Sequence, residues 1–437
     1  MNPSRRKFIK DSAKIIAGTS LVSTIPGQVS CSSPSDKIVL GAIGVRNQGF
    51  ANLNGILGQP NVEIAGMCDI DEKILKGRAG QIEEQYEMRP TLYKDFRNLL
   101  ENKDIDAVII STPDHWHCLM MVMALEAGKH VYVEKPLANS IEEARIMERA
   151  ANKHEKLIVT VGQWQRSGKH WQDAMNFIHS GDLGAIGRVK AWAYTAKPKL
   201  PVMPDEPVPD GVDYDMWLGP APARSFNKNH FHYNFRYFWD YAGGLMTDWG
   251  VHMLDYALDG MKATVPNTIQ ASGGRFSYPD GARETPDTLN ILYEFDNFTI
   301  SWEHSVNLGV GPEKRGHGVL FQGTNGTLLV TRNGWEVFAE RSSAEEYKME
   351  SIPAQPGTGG FSEHFVDFTR AIRNHSVPNC PVSVAKNGAL FAHMGNIAYR
   401  TGERLTWDGK SGTFRQNESA NNMVYPAYRD PWRLPVY

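Results

Sequence analysis

Short apolar runs alternate with amphipathic stretches from residue 37 to residue 161. Lys37 to Ile43 reads KIVLGAI, nearly continuously apolar, the signature of a strand buried on both faces. Val62 to Cys68, Ala107 to Thr112, His130 to Glu134 and Leu157 to Val161 repeat that signature. Between them, Gly49 to Leu57, Asp71 to Tyr86, Leu119 to Ala127 and Ile141 to His154 are spaced and charged as helices. Strands alternating with helices at this interval predict a doubly wound parallel sheet with right-handed crossovers.

The second half patterns differently. Val189 to Ala193 reads as a strand, and a proline-rich excursion runs from Pro198 to Pro209. An aromatic stretch extends from Tyr214 to Trp249. Beyond Asn267 the chain turns β. Asp296-Asn297, Asn325-Gly326 and Asn333-Gly334 are hairpin signals between runs such as Leu289 to Phe295, Phe298 to Trp302, Val319 to Gln322, Thr327 to Thr331 and Trp335 to Phe338. The prediction is an α/β fold: an N-terminal Rossmann-type sheet over 36–160, then an α/β domain over 161–437 with a largely antiparallel open sheet. One face of that sheet would meet helices and the other a subunit interface. Phe361 to Asn374 and the tail through Tyr437 are predicted to wrap back onto the body.

Composition fits that picture. At ~100–200 residues per domain, 437 residues make two domains plus extras. The hydrophobic share is 41 %. With Gly counted and Tyr left out it is about 46 %, within the ~45–50 % of globular proteins. A net charge of −3 creates no field to gather nucleic acid. Cys31, Cys68, Cys118 and Cys380 are too few and too scattered for a disulfide framework or a zinc set. No metal ligand set is read.

The first 35 residues are set apart from the fold. Ser4-Arg5-Arg6-Lys7-Phe8-Ile9-Lys10 resembles a twin-arginine export signal, followed by a short apolar stretch, Ile15 to Ile25, that Pro26 and Gly27 end. Gln28-Val29-Ser30-Cys31 is loosely a lipoprotein box, which makes Cys31 a candidate lipid anchor. The expectation is an exported protein, periplasmic or anchored on the outer side of the cytoplasmic membrane. Its partner on the way is the twin-arginine translocation machinery, which carries folded proteins.

Three motifs carry candidate chemistry. The first strand ends in Gly44-Val45-Arg46-Asn47-Gln48-Gly49, a dinucleotide fingerprint with Arg46 in place of its middle glycine. Asp69, twenty residues beyond Gly49, stands where an acid binds the adenine ribose 2′-hydroxyl, which favours NAD over NADP. Ser111-Thr112-Pro113-Asp114-His115-Trp116-His117 and Glu134-Lys135-Pro136 follow the third and fourth strands, where such sheets bind ligands. Thr112, Pro113, His115, His117 and Glu134 are therefore assigned to the cofactor side. Lys135, projecting from a strand end, can polarise a substrate hydroxyl. In Gly243 to Asp255, a helix would place Asp248 and His252 on one face, so that the carboxylate orients the imidazole as a base. Trp116, Tyr214, Arg236 and Trp239 are candidate saccharide contacts.

As an ordered set, these motifs resemble the Gfo/Idh/MocA family, relatives of glucose–fructose oxidoreductase and inositol dehydrogenase. The resemblance spans residues 37–410. It implies NAD(P), a carbohydrate or polyol substrate, a homo-oligomer, and Lys135, Asp248 and His252 as catalytic lysine, aspartate and histidine. It also places Gln165 and Arg166 beside the nicotinamide. The implied reaction is hydride transfer from a secondary alcohol. The alternative within the family is a redox-neutral glycoside hydrolysis by oxidation, elimination, hydration and reduction. A non-catalytic sugar- or nucleotide-binding relative is the second alternative, and a metallohydrolase the remote one.

Overall fold

In this computed structural model the described residues are 36–437. The candidate export signal and Cys31, the candidate lipid anchor, fall outside them.

Six parallel strands form the first sheet, in the order β3-β2-β1-β4-β5-β6. Its elements are β1 (Ile38–Ile43), α1 (Asn47–Leu57), β2 (Val62–Cys68), α2 (Glu72–Tyr86), β3 (Thr91–Tyr93), α3 (Phe96–Leu100), β4 (Ala107–Ile110), α4 (His117–Glu126), β5 (His130–Val133), α5 (Ile141–Lys153) and β6 (Val159–Val161). Every residue of β4 and β6 is buried, as the unbroken apolar runs require. The five strands expected from the sequence are all present. The sixth, β3, is only three residues long, half exposed, and too polar at its start to show an apolar run. Capping fixes the helix starts: Asp71 accepts from the Lys73 and Ile74 amides, and Ser140 from that of Glu143.

The second sheet has ten strands, ordered β14-β13-β12-β11-β7-β10-β9-β8-β15-β16. It follows α6 (Lys169–Ser180) and begins with β7 (Ile186–Tyr194), which pairs in parallel with β10 (Thr299–Ser305). The other pairings are antiparallel, through β8 (Thr268–Gly274), β9 (Thr288–Glu294), β11 (His317–Gly323), β12 (Gly326–Thr331), β13 (Gly334–Ala339), β14 (Ile352–Pro356), β15 (Leu405–Asp408) and β16 (Thr413–Phe414). Between β7 and β8 lie the short helix α7 (Tyr214–Leu218) and the long helix α8 (Val251–Met261). Residues from α6 and α8 join sheet residues Val189, Ile291, Trp302 and Phe321 in one continuous core.

Two later helices, α9 (Phe361–Asn374) and α10 (Val382–Thr401), complete the body. Phe365 and Phe368 of α9 pack with Leu53, Ile56 and Tyr132 of the first sheet's layer, so the predicted return of this helix is observed. The tail returns too: Tyr428, Trp432 and Tyr437 pack against the core under α4, and the Trp432 ring meets Trp116 edge-on at 4.8 Å. The 20-residue α10 was not read from the sequence, because Gly388, Gly395 and its Asn and His residues blur the apolar stripe. No helix among the described residues is long and apolar enough to cross a membrane.

Candidate active site

At the C-terminal ends of β1, β2, β4 and β5 the chain opens into a groove lined by Gly44, Arg46 to Gly49, Asp69, Thr112 to Asp114, Trp116, Glu134, Lys135 and Arg236. Two glycines shape it. Gly44 sits at φ +79°, a conformation that strains any other residue. A Cβ on Gly49 would lie 1.9 Å from the Gly44 carbonyl oxygen, so only glycine lets α1 start this close to β1. Arg46, with backbone φ −78°, occupies the N-cap of α1 without capping through its side chain. The groove thus offers the unbonded first amides of a helix, the usual seat of a pyrophosphate.

Asp69 ends β2 at the groove wall, where Oδ2 accepts the Val45 amide at 2.9 Å and Oδ1 the Asp71 amide at 3.1 Å. Burial pushes its carboxyl above the usual range, against the pull of those two amides. These residues fit a dinucleotide: a glycine turn, a helix N-terminus and a fixed acid at the adjacent strand end.

Glu134 braces the floor. Its Oε1 accepts from Asn52 at 2.9 Å and its Oε2 from the Lys135 amide at 3.0 Å. Gln48 in turn donates to Asn52 Oδ1 at 2.9 Å. A side chain at Gly162 would collide with Glu134, its Cβ 2.9 Å from Oε1.

Lys135 follows, before a cis bond to Pro136. Its Nζ donates to Asp248 Oδ1 at 2.6 Å and to the Asp248 carbonyl at 3.0 Å. Arg236 Nε approaches the same Oδ1 at 3.2 Å. Burial works against charge on Asp248, but Lys135 and Arg236 outweigh it and hold the carboxyl well below its ordinary range. The expected pairing of Asp248 with His252 is therefore corrected. Met246–Gly250 forms a wide π turn ahead of α8, and the Asp248 carboxylate turns to the two cations. His252 is held instead by Gln165, whose Oε1 lies 2.9 Å from Nδ1. An oxygen acceptor there puts the proton on Nδ1 and leaves the Nε2 lone pair available. Burial, then the charges of Arg332 and Lys135, depress this imidazole well below its usual pKa, so it is neutral at pH 7.

Gln165 and Arg166 lie outside the lining of the groove and act on the site through His252 and Asp255. Arg166 grips Asp255 through two bonds of 2.7 Å, and Gln165 Nε2 donates to the same carboxylate at 3.2 Å. Together they set the rotamer of His252.

The histidines of the Thr112–His117 loop are structural. His115 Nε2 and Trp116 Nε1 both lie 3.1 Å from the Trp217 carbonyl, docking the loop onto α7. The His117 ring nitrogens lie 2.8 and 3.0 Å from the carbonyls of Pro136 and Thr112. Burial lowers both imidazoles to about 4. Neither ring lines the groove, whereas Thr112, Pro113 and Trp116 do. Asp114, passed over in the sequence, also faces the groove; burial raises its carboxyl to about 8 despite Arg236 and Lys135.

Of the four candidate saccharide contacts, Trp116 and Arg236 line the groove. Tyr214 is core: it stacks on Trp217 at 5.6 Å and donates to the Ser225 carbonyl at 3.2 Å. Trp239 lies under Arg400, 5.0 Å from ring centre to guanidinium.

With this geometry in place, comparison with known proteins is informative. Residues 39–163 match the NAD-binding Rossmann fold of the Gfo/Idh/MocA oxidoreductase family, and residues 188–275 match its C-terminal alpha/beta domain. Each of that family's two domain models is thus matched by one segment of this chain. A Glycosyl hydrolase family 109 protein of Shewanella sp. (strain W3-18-1) is 31 % identical over 205 residues, 42 % of this chain and 44 % of that protein. The match thus spans less than half of that relative. Levoglucosan dehydrogenase, solved with NADH and levoglucosan, superposes with TM-score 0.64 at 17 % identity over 85 % of this chain and 99 % of its own. The aldose-aldose oxidoreductase of Caulobacter crescentus, solved with glycerol, gives TM-score 0.63 at 19 % identity, covering 85 % and 99 %. At these identities the solved structures establish the fold.

Proposed function

We propose that this Gfo/Idh/MocA-type protein is an NAD(P)-dependent oxidoreductase that acts on a secondary alcohol of a sugar or polyol. The observation that carries the reading is the Lys135–Asp248 pair. It is held at a strand end on the rim of a dinucleotide-shaped groove and is electrostatically coupled to a neutral His252. A nicotinamide bound in the groove supplies the hydride acceptor. His252 Nε2 takes the hydroxyl proton, and Gln165 keeps the imidazole in the tautomer that permits it. Lys135 donates to the substrate oxygen as negative charge develops there. Asp248 keeps that ammonium aimed, and Glu134 fixes the Lys135 backbone. Asp69, with its oxygens anchored by backbone amides, favours the free ribose hydroxyl of NAD over a 2′-phosphate.

A second reading is supported by the 31 % identity to the glycosyl hydrolase family 109 protein: a redox-neutral cycle in which the sugar is oxidised, loses its glycosidic group by elimination, gains water and is reduced again. Export by the twin-arginine route belongs to the same proposal. A cofactor carried out of the cytosol must be reset on the enzyme, either by a second substrate or within one cycle, and so must be tightly held. Homo-oligomer formation through the outer face of the ten-stranded sheet completes the reading.

Stoichiometry tests it. Purified protein is expected to release NAD(P) on denaturation and to turn over a glycoside many times with bound cofactor alone. One turnover that halts at reduced cofactor would keep the oxidoreductase and remove the redox-neutral cycle. Protein that purifies empty and changes no nicotinamide absorbance with any sugar would overturn the oxidoreductase reading.

A further inference from the structure

Arg332 occupies the two-residue turn between β12 and β13. Its guanidinium carbon lies 4.5 Å from the ring centre of Trp164 and 4.4 Å from that of Trp249. Nε is shut off from solvent without a hydrogen-bond partner, and no carboxylate among the described residues forms an ion pair with this side chain. The nearby acids are committed elsewhere, Asp248 to Lys135 and Arg236, Glu134 to Asn52 and the Lys135 amide. The residue is half-buried between the two indoles, but its buried Nε has no partner to replace water, and burial lowers Arg332 to about 10.

A second unpartnered group lies against the same rings. The His317 ring is 4.9 Å from Trp249, and its Nε2 is buried with no partner. His252, the proposed proton acceptor, is 6.2 Å from both Trp164 and Trp249. The proposed reaction centre, two indoles and two unsatisfied nitrogen-bearing side chains therefore share one small region. The glycine turn that suits the cofactor's phosphates, residues 44–49, lines a groove that includes none of these side chains. Indole faces match sugar rings, whereas the cation calls for negative oxygen.

We infer that Arg332, with His317 and the faces of Trp164 and Trp249, forms a subsite for an anionic group on the saccharide, either a carboxylate or a sulfate ester. The inference rests on the oxidoreductase reading for the identity of the ligand as a sugar, but its observations are independent of Lys135. Five guanidinium N–H donors suit either oxyanion. A neutral sugar would leave the buried Nε without an anionic partner.

The test uses the holoenzyme and matched methyl glycosides of both anomers: glucose with glucuronate, galactose with galacturonate, and glucose with its 6-sulfate. Affinity is read by tryptophan fluorescence, and oxidation by nicotinamide absorbance. The anionic member is expected to bind about 10–100-fold more tightly, the value of one charged hydrogen bond. That preference should shrink with added salt, collapse in Arg332→Gln and partly return in Arg332→Lys. The uronates and the sulfate separate the two oxyanions. Equal affinity within every pair, no binding of any anionic glycoside, or a preference that survives Arg332→Gln would overturn the inference. The wild-type ratios decide the matter even if both variants fail to fold. Oxidation of neutral and anionic members at equal kcat/KM removes the subsite and keeps the oxidoreductase. Tight, Arg332-dependent binding of an anionic glycoside that never reduces the cofactor keeps the subsite and removes the oxidoreductase.

Discussion

On the cofactor side of the cleft, shape comes from backbone: a glycine at φ +79°, a second glycine seated on its carbonyl, and a helix N-terminus, all within residues 44–49. On the substrate side it comes from side chains. Lys135, Trp164, Arg236, the Asp248–His252 segment and Arg332 arrive from five separate stretches of the chain. The first side has its hydrogen bonds made before any ligand comes, as the Gln48–Asn52–Glu134 chain shows. The second keeps charge in reserve. One side is built to receive a fixed ligand, and the other can change its substrate by changing single side chains.

The contrast can be broken most sharply at Lys135. Lys135→Met should cut kcat by roughly 10²–10⁴-fold, the range of lost proton-transfer and charge stabilisation, while bound NAD(P) per subunit stays unchanged. Cofactor loss in this variant would mean that the two sides are not separable. Next in size is Asp255→Ala. It leaves Arg166 only its 3.5 Å ion pair with Asp259 and should cost up to about 3–5 kcal/mol of stability, seen in chemical unfolding. Gly49→Ala should do the reverse of Lys135→Met: cofactor retention fails, and stability falls by about 1–3 kcal/mol as the turn opens to admit the methyl group, measured by equilibrium dialysis and a thermal melt.

Asp114 gives a pH-dependent test. Its carboxyl titrates at about 8 in the folded protein and near ~3.9 unfolded. Between those values the folded state holds a proton that the unfolded state has lost, so this group's contribution to stability falls as pH rises from about 4 to 8. Asp114→Asn should flatten that decline in melts taken across the window, and an unchanged slope would show that the carboxyl is ionised in the fold. The smallest effect is expected at Tyr214→Phe, which loses one hydrogen bond to Ser225, about 1 kcal/mol, with no change in KM. A raised KM would return Tyr214 to the substrate side.

The same division explains what could be read from the chain. Strand periodicity, the glycine turn and Asp69 are local signals, and all five strands predicted in the first half are present. Lys135 was legible because a motif at a strand end has a fixed direction. The partner of His252 was not, because helical spacing pointed to Asp248 while the π turn and two cations redirected that carboxylate. His115 and His117 were assigned to the cofactor side, but both rings are buried against backbone carbonyls as braces. Arg332 and Trp164 carry no local signal, since a lone arginine in a hairpin turn looks like any surface residue.

The tail's return has a consequence for synthesis. Trp432 closes on Trp116 beneath the groove, and Phe365 and Phe368 of α9 complete the other layer of the first sheet. The nucleotide-binding half is therefore not finished when residue 161 leaves the ribosome. At ~5–20 residues per second, the last residues follow roughly 15–55 s later. Throughout that interval the groove lacks the packing that α9 and Trp432 supply.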